Sequence, residues 1–352
     1  MAFPLIALLG ALFAGGMVHA QVAKSRPVGF LVQTIPAGQT RSFSVPFDAD
    51  VSSQGGTVGR LTAVGANFIE CASARWIPGA FSTEAAPYFV RLSTGGHAGR
   101  TFGITAPANT ATRLYLDTDG LDLSTVGLSI GAAGDAFEII PGDTLVTFFG
   151  SMAAGHGLVV QGSGEANTAD LVQVWSGTGW LRYYYNTVWR RWALDTDTLA
   201  DPARDNVGLR SDRGLLFTRR GGTPLDLAVV GRVLAVPQRA MHVRSENGRT
   251  FLAPMQTADT TLGALALQRS DRSVAWRGSS DAADADIVSV WSGATWFNFF
   301  FNTVAGHWQR VGDPAPNRDD FVIKAGTPVL IQRRTAATSL PDRTLVFPAA
   351  GS

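Results

Sequence analysis

Cysteine is almost missing: Cys71 is the only one among 352 residues. No intramolecular disulfide can form and no cysteine-based metal cluster can be built, so stability must come from packing. A single thiol of this kind is expected to be a small buried hydrophobe. Lysine is nearly as scarce, with Lys24 and Lys324 alone, so nearly all positive charge is Arg. Charged residues reach 16%, against about 25% in an average soluble protein. The formal net charge is +1. Such a balance argues against a nucleic-acid partner, which needs a concentrated basic surface.

Catalytic and cofactor signatures are also missing. Past residue 20 the histidines are His97, His156, His242 and His307. None forms an i, i+4 pair and no H-E-x-x-H occurs, so no zinc site is read. Neither a Walker A loop nor a dinucleotide fingerprint is present, and no cofactor is expected. Glu is limited to Glu70, Glu84, Glu138, Glu165 and Glu246, and nothing singles out a glycosidase pair. Gly127-Leu128-Ser129-Ile130-Gly131 fits G-x-S-x-G, but Ala132-Ala133-Gly134-Asp135 follows where a nucleophile elbow needs a helix. Asp117-Thr118-Asp119-Gly120-Leu121-Asp122 and the cluster Asp281, Asp284 and Asp286 lack the flanking helices and terminal Glu of a calcium loop. Both read as tight turns.

The amino end carries the strongest local signal. Met1 to Met17 hold no charged side chain, and Val18-His19-Ala20 put small residues at −3 and −1. A signal peptide cleaved after Ala20 is expected, hence export to the periplasm, cell surface or exterior. No Lys or Arg precedes the apolar core, so an uncleaved anchor stays open. Elsewhere no run approaches the ~20 apolar residues of a transmembrane helix.

What is abundant is turn-forming and strand-forming residue types. The chain has 39 Gly and 17 Pro, with short β-branched or aromatic runs between them. Tyr88-Phe89-Val90-Arg91-Leu92 and Ala136-Phe137-Glu138-Ile139-Ile140 are examples. This pattern predicts an all-β antiparallel fold, sandwich or barrel-like, with very little helix. The best helical candidate, Thr261 to Leu267, is too short and too apolar all round to assign.

An internal repeat organises the chain. Val174-Trp175-Ser176-Gly177 recurs 116 residues later as Val290-Trp291-Ser292-Gly293. The same shift carries Asp170 to Asp286, Trp180 to Trp296, Asn186-Thr187 to Asn302-Thr303 and Trp192 to Trp308. Leu216 to Arg220 then match Leu330 to Arg334 at 114. Upstream, Arg41 to Pro46 resemble Arg249 to Pro254 at 208. The expected organisation is a first β unit, 21–236, carrying a β-rich insertion at about 51–165, and a second unit, 237–352.

Strand alternation separates two faces in the Trp-rich segments. Leu181, Tyr183 and Tyr185, with Phe297, Phe299 and Phe301, form the expected core face. Opposite lie the candidate binding residues Trp180, Arg182 and Tyr184, and Trp296, Asn298 and Phe300. This second face has two readings. It is a sugar-stacking platform, or it is covered by another sheet or subunit. Arg219-Arg220 and Arg333-Arg334 likewise read either as anion contacts or as partners of buried acids.

The order of motifs adds a resemblance. Pro87 to Gly95, Gly103 to Ala106, Thr112 to Asp117, Gly134 to Pro141 and the Trp–Tyr–Tyr–Tyr–Asn meander follow one another. In that order they resemble a family of exported proteins that recur as paralogues in Verrucomicrobia-type bacteria. The resemblance implies a signal peptide and export; it supplies no activity and no site residues. Three functions follow as expectations. The first is a non-catalytic surface or secreted protein that assembles with itself. The others are a module that binds extracellular glycan and an enzyme acting on polysaccharide.

Overall fold

The computed structural model describes residues 28–348, apart from 48–57, 82–86, 106–108, 119, 154–156, 235–236, 242–247, 273–275, 314–315 and 335–343. The expected leader, Asp119, His156 and His242 lie outside the described residues. The fold is all-β, as expected. Every pairing between its named strands is antiparallel, and two one-turn helices interrupt them: α1, Leu145–Phe149, and α2, Leu262–Leu265. The second lies inside the Thr261 to Leu267 stretch that sequence alone left unassigned.

Two five-stranded sheets dominate. In the first, the order is Arg191–Leu194, Trp180–Asn186, Leu171–Trp175, Leu215–Thr218, Thr40–Phe43. In the second it is His307–Arg310, Trp296–Asn302, Ile287–Trp291, Val329–Gln332, Arg249–Leu252. The orders correspond strand for strand, and so do the registers. Val172 opposes Tyr183 and Phe217, while Val288 opposes Phe299 and Ile331.

The opening strands correct the upstream alignment by one residue. Phe43 pairs with Leu215 and Leu252 with Val329, so Phe43 corresponds to Leu252, a shift of 209 rather than 208. Because side chains alternate, one residue of slip exchanges the two faces. Phe43 and Leu252 therefore enter the two cores, while Phe251 turns the other way.

The expected core face holds with one exception. Tyr183, Tyr185, Trp192, Phe217 and Phe43 pack with Leu145 and Phe149 of α1. Phe299, Trp308, Leu252 and Ile331 pack with Leu262 and Leu265 of α2. Leu181, next to the hairpin end, is 39% exposed. Both helices start on a Thr whose side chain accepts a backbone N–H three residues on, Thr144 from Thr147 and Thr261 from Ala264.

A seven-stranded sheet is drawn wholly from residues 58–141, between Val58–Arg60 and Ala136–Pro141. Its core includes Val90, Phe102, Leu114, Phe137, Ile139 and the buried Cys71. The stretch expected as an insertion, 51–165, thus contains this sheet, but its final part does not belong with it. Leu145, Phe149 and Val160 pack into the first five-stranded unit. Four two-stranded ribbons complete the described fold: Val28–Ile35 with Leu225–Arg232, Gln238–Met241 with Thr344–Phe347, and the short pairs Asp143–Thr144 with Gly208–Leu209 and Thr260–Thr261 with Val322–Ile323. Among the described residues no helix is long and apolar enough to cross a membrane.

Candidate functional site

The repeated motif residues turn out to build hairpins. Trp175 and Trp180 face each other across the first hairpin, with ring centroids 5.2 Å apart, and Trp291 and Trp296 do the same at 5.2 Å. The Ser-Gly between them closes the turn. Ser176 Oγ accepts from Gly179 N–H at 3.2 Å, and Ser292 Oγ accepts from Thr295 N–H at 3.2 Å. Gly177 and Gly293 supply the left-handed step, with φ of 100° and 99°. Asn186 and Asn302 fold the next turn. Each side-chain oxygen accepts two backbone N–H groups, from Val188 and Trp189 or from Val304 and Ala305.

The Arg pairs answer to buried acids. Asp170 accepts from Gln161 N–H, Arg219 and Arg220 N–H. Asp286 accepts from Arg277 N–H and Arg334 N–H, with Arg333 Nε 2.7 Å away. Of the two readings of these pairs, the geometry is that of internal ion pairs. Trp192 and Trp308 are fully buried, and their backbone N–H groups donate to the Asp205 and Asp319 side chains.

The six candidate binding residues do not form one open platform. Tyr184 and Phe300 are each 5% exposed, packed beneath Ala169 and Ala285 respectively. Tyr184 Oη accepts from Asn186. Arg182 and Asn298 are exposed, and Arg182 pairs with Asp195 at 2.6 Å. Trp180 and Trp296 are half-buried and converge from opposite units on Phe251, at 5.4 and 5.7 Å. Every second side chain along a strand shares a face, yet different neighbours cover different parts of it.

That convergence is a two-sided junction. Trp175 Nε1 donates to Arg249 O at 2.9 Å, and Trp291 Nε1 donates to Thr40 O at 2.9 Å. Each hairpin therefore bonds the opening strand of the other unit at corresponding positions. Leu216 and Leu330, themselves equivalent, meet in the same cluster. Gly214 lies against its counterpart Pro328, which a Cβ on Gly214 would meet at 2.3 Å. Reciprocal contacts between equivalent residues are the signature of a two-fold interface.

Beside the junction lies a cleft of about 330 Å³, walled by Trp175, Gly177, Arg210, Arg213, Thr250 and Phe251 among others. Arg210 holds Asp212 with two hydrogen bonds, 2.9 and 2.8 Å, and donates to Thr101 O of the seven-stranded sheet at 3.3 Å. Burial alone would push the Asp212 carboxyl up. The charge and hydrogen bonds of Arg210, with Arg213 and Arg91 nearby, hold it below the ordinary carboxylate range. Sequence reasoning missed this cleft because its walls come from segments far apart in the chain, and Arg210 and Arg213 belong to no recognisable motif.

Elsewhere the G-x-S-x-G segment is a loop. Ser129 N–H donates to Asp135 and no helix follows. Asp122 caps a 3-10 turn, Leu123–Thr125, by accepting from Ser124 N–H. Among the described residues no group of His, Cys, Asp or Glu is placed to hold a metal ion. No family model, curated protein or solved structure shows a significant match to the chain.

Proposed function

We propose that this chain is an exported, non-catalytic protein that assembles with copies of itself at the bacterial surface or beyond. One observation carries the assembly reading. The ribbon Val28–Ile35 with Leu225–Arg232 is only two strands wide, and one of its faces is apolar and exposed. Val28 is 72% exposed, Phe30 67%, Val32 45%, and Val230, directly opposite Phe30, 60%. Single exposed apolar residues are ordinary; a contiguous stripe on an unpaired ribbon is a template for another strand or face. Export rests on the apolar amino end with its Ala20 junction and on the resemblance to exported proteins. The repeated motif residues are spent on turns, caps and buried ion pairs, which fits a scaffold. The glycan alternative has no support at Tyr184 and Phe300, whose rings are covered.

Two measurements test this reading. Expressed with its own amino end, the secreted chain should begin at Gln21 by N-terminal sequencing. Light scattering coupled to size-exclusion chromatography should give a mass that rises with concentration, and Phe30→Asp with Val230→Asp should restore the monomer. A wild-type chain that stays monomeric at its highest soluble concentration removes the assembly reading; retention in the cytoplasm removes export.

A further inference from the structure

The cleft beside Trp175 has an internal comparison that shows what it is not. Its counterpart in the second unit is built on Trp291 and Gly293, and the two hairpin turns have the same backbone, with φ of 100° at Gly177 and 99° at Gly293. They differ in what lies over them. Arg41 places its Nη1 2.0 Å from where a Cβ on Gly293 would sit, so a guanidinium covers that turn. Among the described residues, nothing lies within 4 Å of the same point on Gly177. The residue corresponding to Arg41 is Thr250, which pairs with Ile331 as Arg41 pairs with Phe217. A threonine is too short to cross the turn. The second unit's recess is plugged by an arginine from the first unit's opening strand; the first unit's recess meets only Thr250 of the second unit and stays open.

The open recess also has its own chemistry. Its walls carry two guanidinium groups, Arg210 and Arg213, and no carboxylate. The Asp212 carboxylate sits behind them, 4% exposed, bonded to Arg210 and 4.0 Å from Arg213 Nε. Half-buried Trp175 supplies an apolar aromatic wall, and Phe251, 1% exposed, also borders the cleft. About 330 Å³ lies within the ordinary range of small-ligand sites. Guanidinium selects planar oxyanions, and an indole wall favours a ring with an apolar face. We infer that the cleft between Trp175, Arg213 and Phe251 binds a ring-shaped carboxylate of the hexuronate class, as a residue of an acidic glycan. The inference is independent of the exposed ribbon, and a monomeric variant should bind equally well.

Tryptophan fluorescence titration and calorimetry on the full mature chain decide it, with trigalacturonate, galacturonate, a neutral galactotriose and benzoate as probes. Trigalacturonate should bind saturably and more weakly as salt rises. Galacturonate should bind at the same site, because a single residue carries both the carboxylate and the ring that the cleft recognises. Arg213→Gln should weaken trigalacturonate by about tenfold or more, and Arg213→Lys should retain part of the affinity. Thr250→Arg, which copies Arg41, should abolish binding; because Thr250 is buried, Arg213→Gln decides the question if that variant does not fold. Equal binding of galactotriose, tighter binding of benzoate, no binding of trigalacturonate, or an unchanged affinity in Arg213→Gln would each overturn the proposal.

Discussion

Asp286 is fully buried, and the Arg333 side chain beside it is 1% exposed. Two backbone N–H groups also aim at the carboxylate, from Arg277 and Arg334. Asp286→Asn would remove the carboxylate that faces the buried Arg333 guanidinium. The expected cost is about 3–5 kcal/mol, read as a lower urea midpoint at unchanged slope. Asp170→Asn should cost less, because Arg219 is 11% exposed and can reach water. Asp212 sets a pH dependence. Its folded-state pKa is depressed by Arg210, Arg213 and Arg91 against the opposing effect of burial. The stabilisation is therefore complete above the unfolded carboxylate value of about 4 and is lost as pH falls below it. Asp197, held down chiefly by hydrogen bonds from Arg204, acts in the same direction. Thermal melts should show a falling midpoint on the acid side, and the fall should be shallower in Asp212→Asn.

The paired hairpins allow a direct comparison between equivalent elements. Gly177→Ala places a Cβ in open space and pays only for the left-handed backbone, about 1–2 kcal/mol. Gly293→Ala pays the same strain and also displaces Arg41 from its turn. Equilibrium unfolding should show Gly293→Ala as the more destabilising of the two; equal losses would mean that Arg41 contributes nothing there. The opening strands teach a different lesson about register. Aligning residue types matched Phe43 with Phe251, because both are Phe between Arg and Pro landmarks. Hydrogen-bond pairing instead matches Phe43 with Leu252. An apolar residue is required at both core positions, and which apolar residue it is carries little information.

Over the whole molecule, the two five-stranded units are coupled through a small junction. Phe251 is 1% exposed and touches both Trp180 and Trp296. Phe251→Ala should cost about 3–5 kcal/mol, as for other buried Phe. Its local effect should be to separate the hairpin ends, so calorimetry should resolve two transitions where wild type shows one. The seven-stranded sheet is fastened at other points. Arg232 forks onto Glu138 at 2.9 and 2.8 Å, and Arg239 N–H donates to Gly99 O. These contacts join residues more than ninety positions apart. No local pattern announces them.

The all-β class, the two matching Trp-rich segments and the face holding Tyr183, Tyr185 and Phe299 were legible in the amino-acid order. Turn residues and two-residue alternation act over a few positions, so they leave a local trace. The burial of Tyr184 and Phe300 was not legible, because their strands are covered on both sides only around these positions and composition cannot say by what. The meeting of Trp180 and Trp296 at Phe251, and the open cleft where Thr250 replaces an arginine, were decided only by tertiary structure. Such features depend on how distant segments dock, and docking is set by the shapes of whole surfaces. The low charge and missing motifs narrowed the function, and three-dimensional packing alone distinguished the plugged recess from the open one.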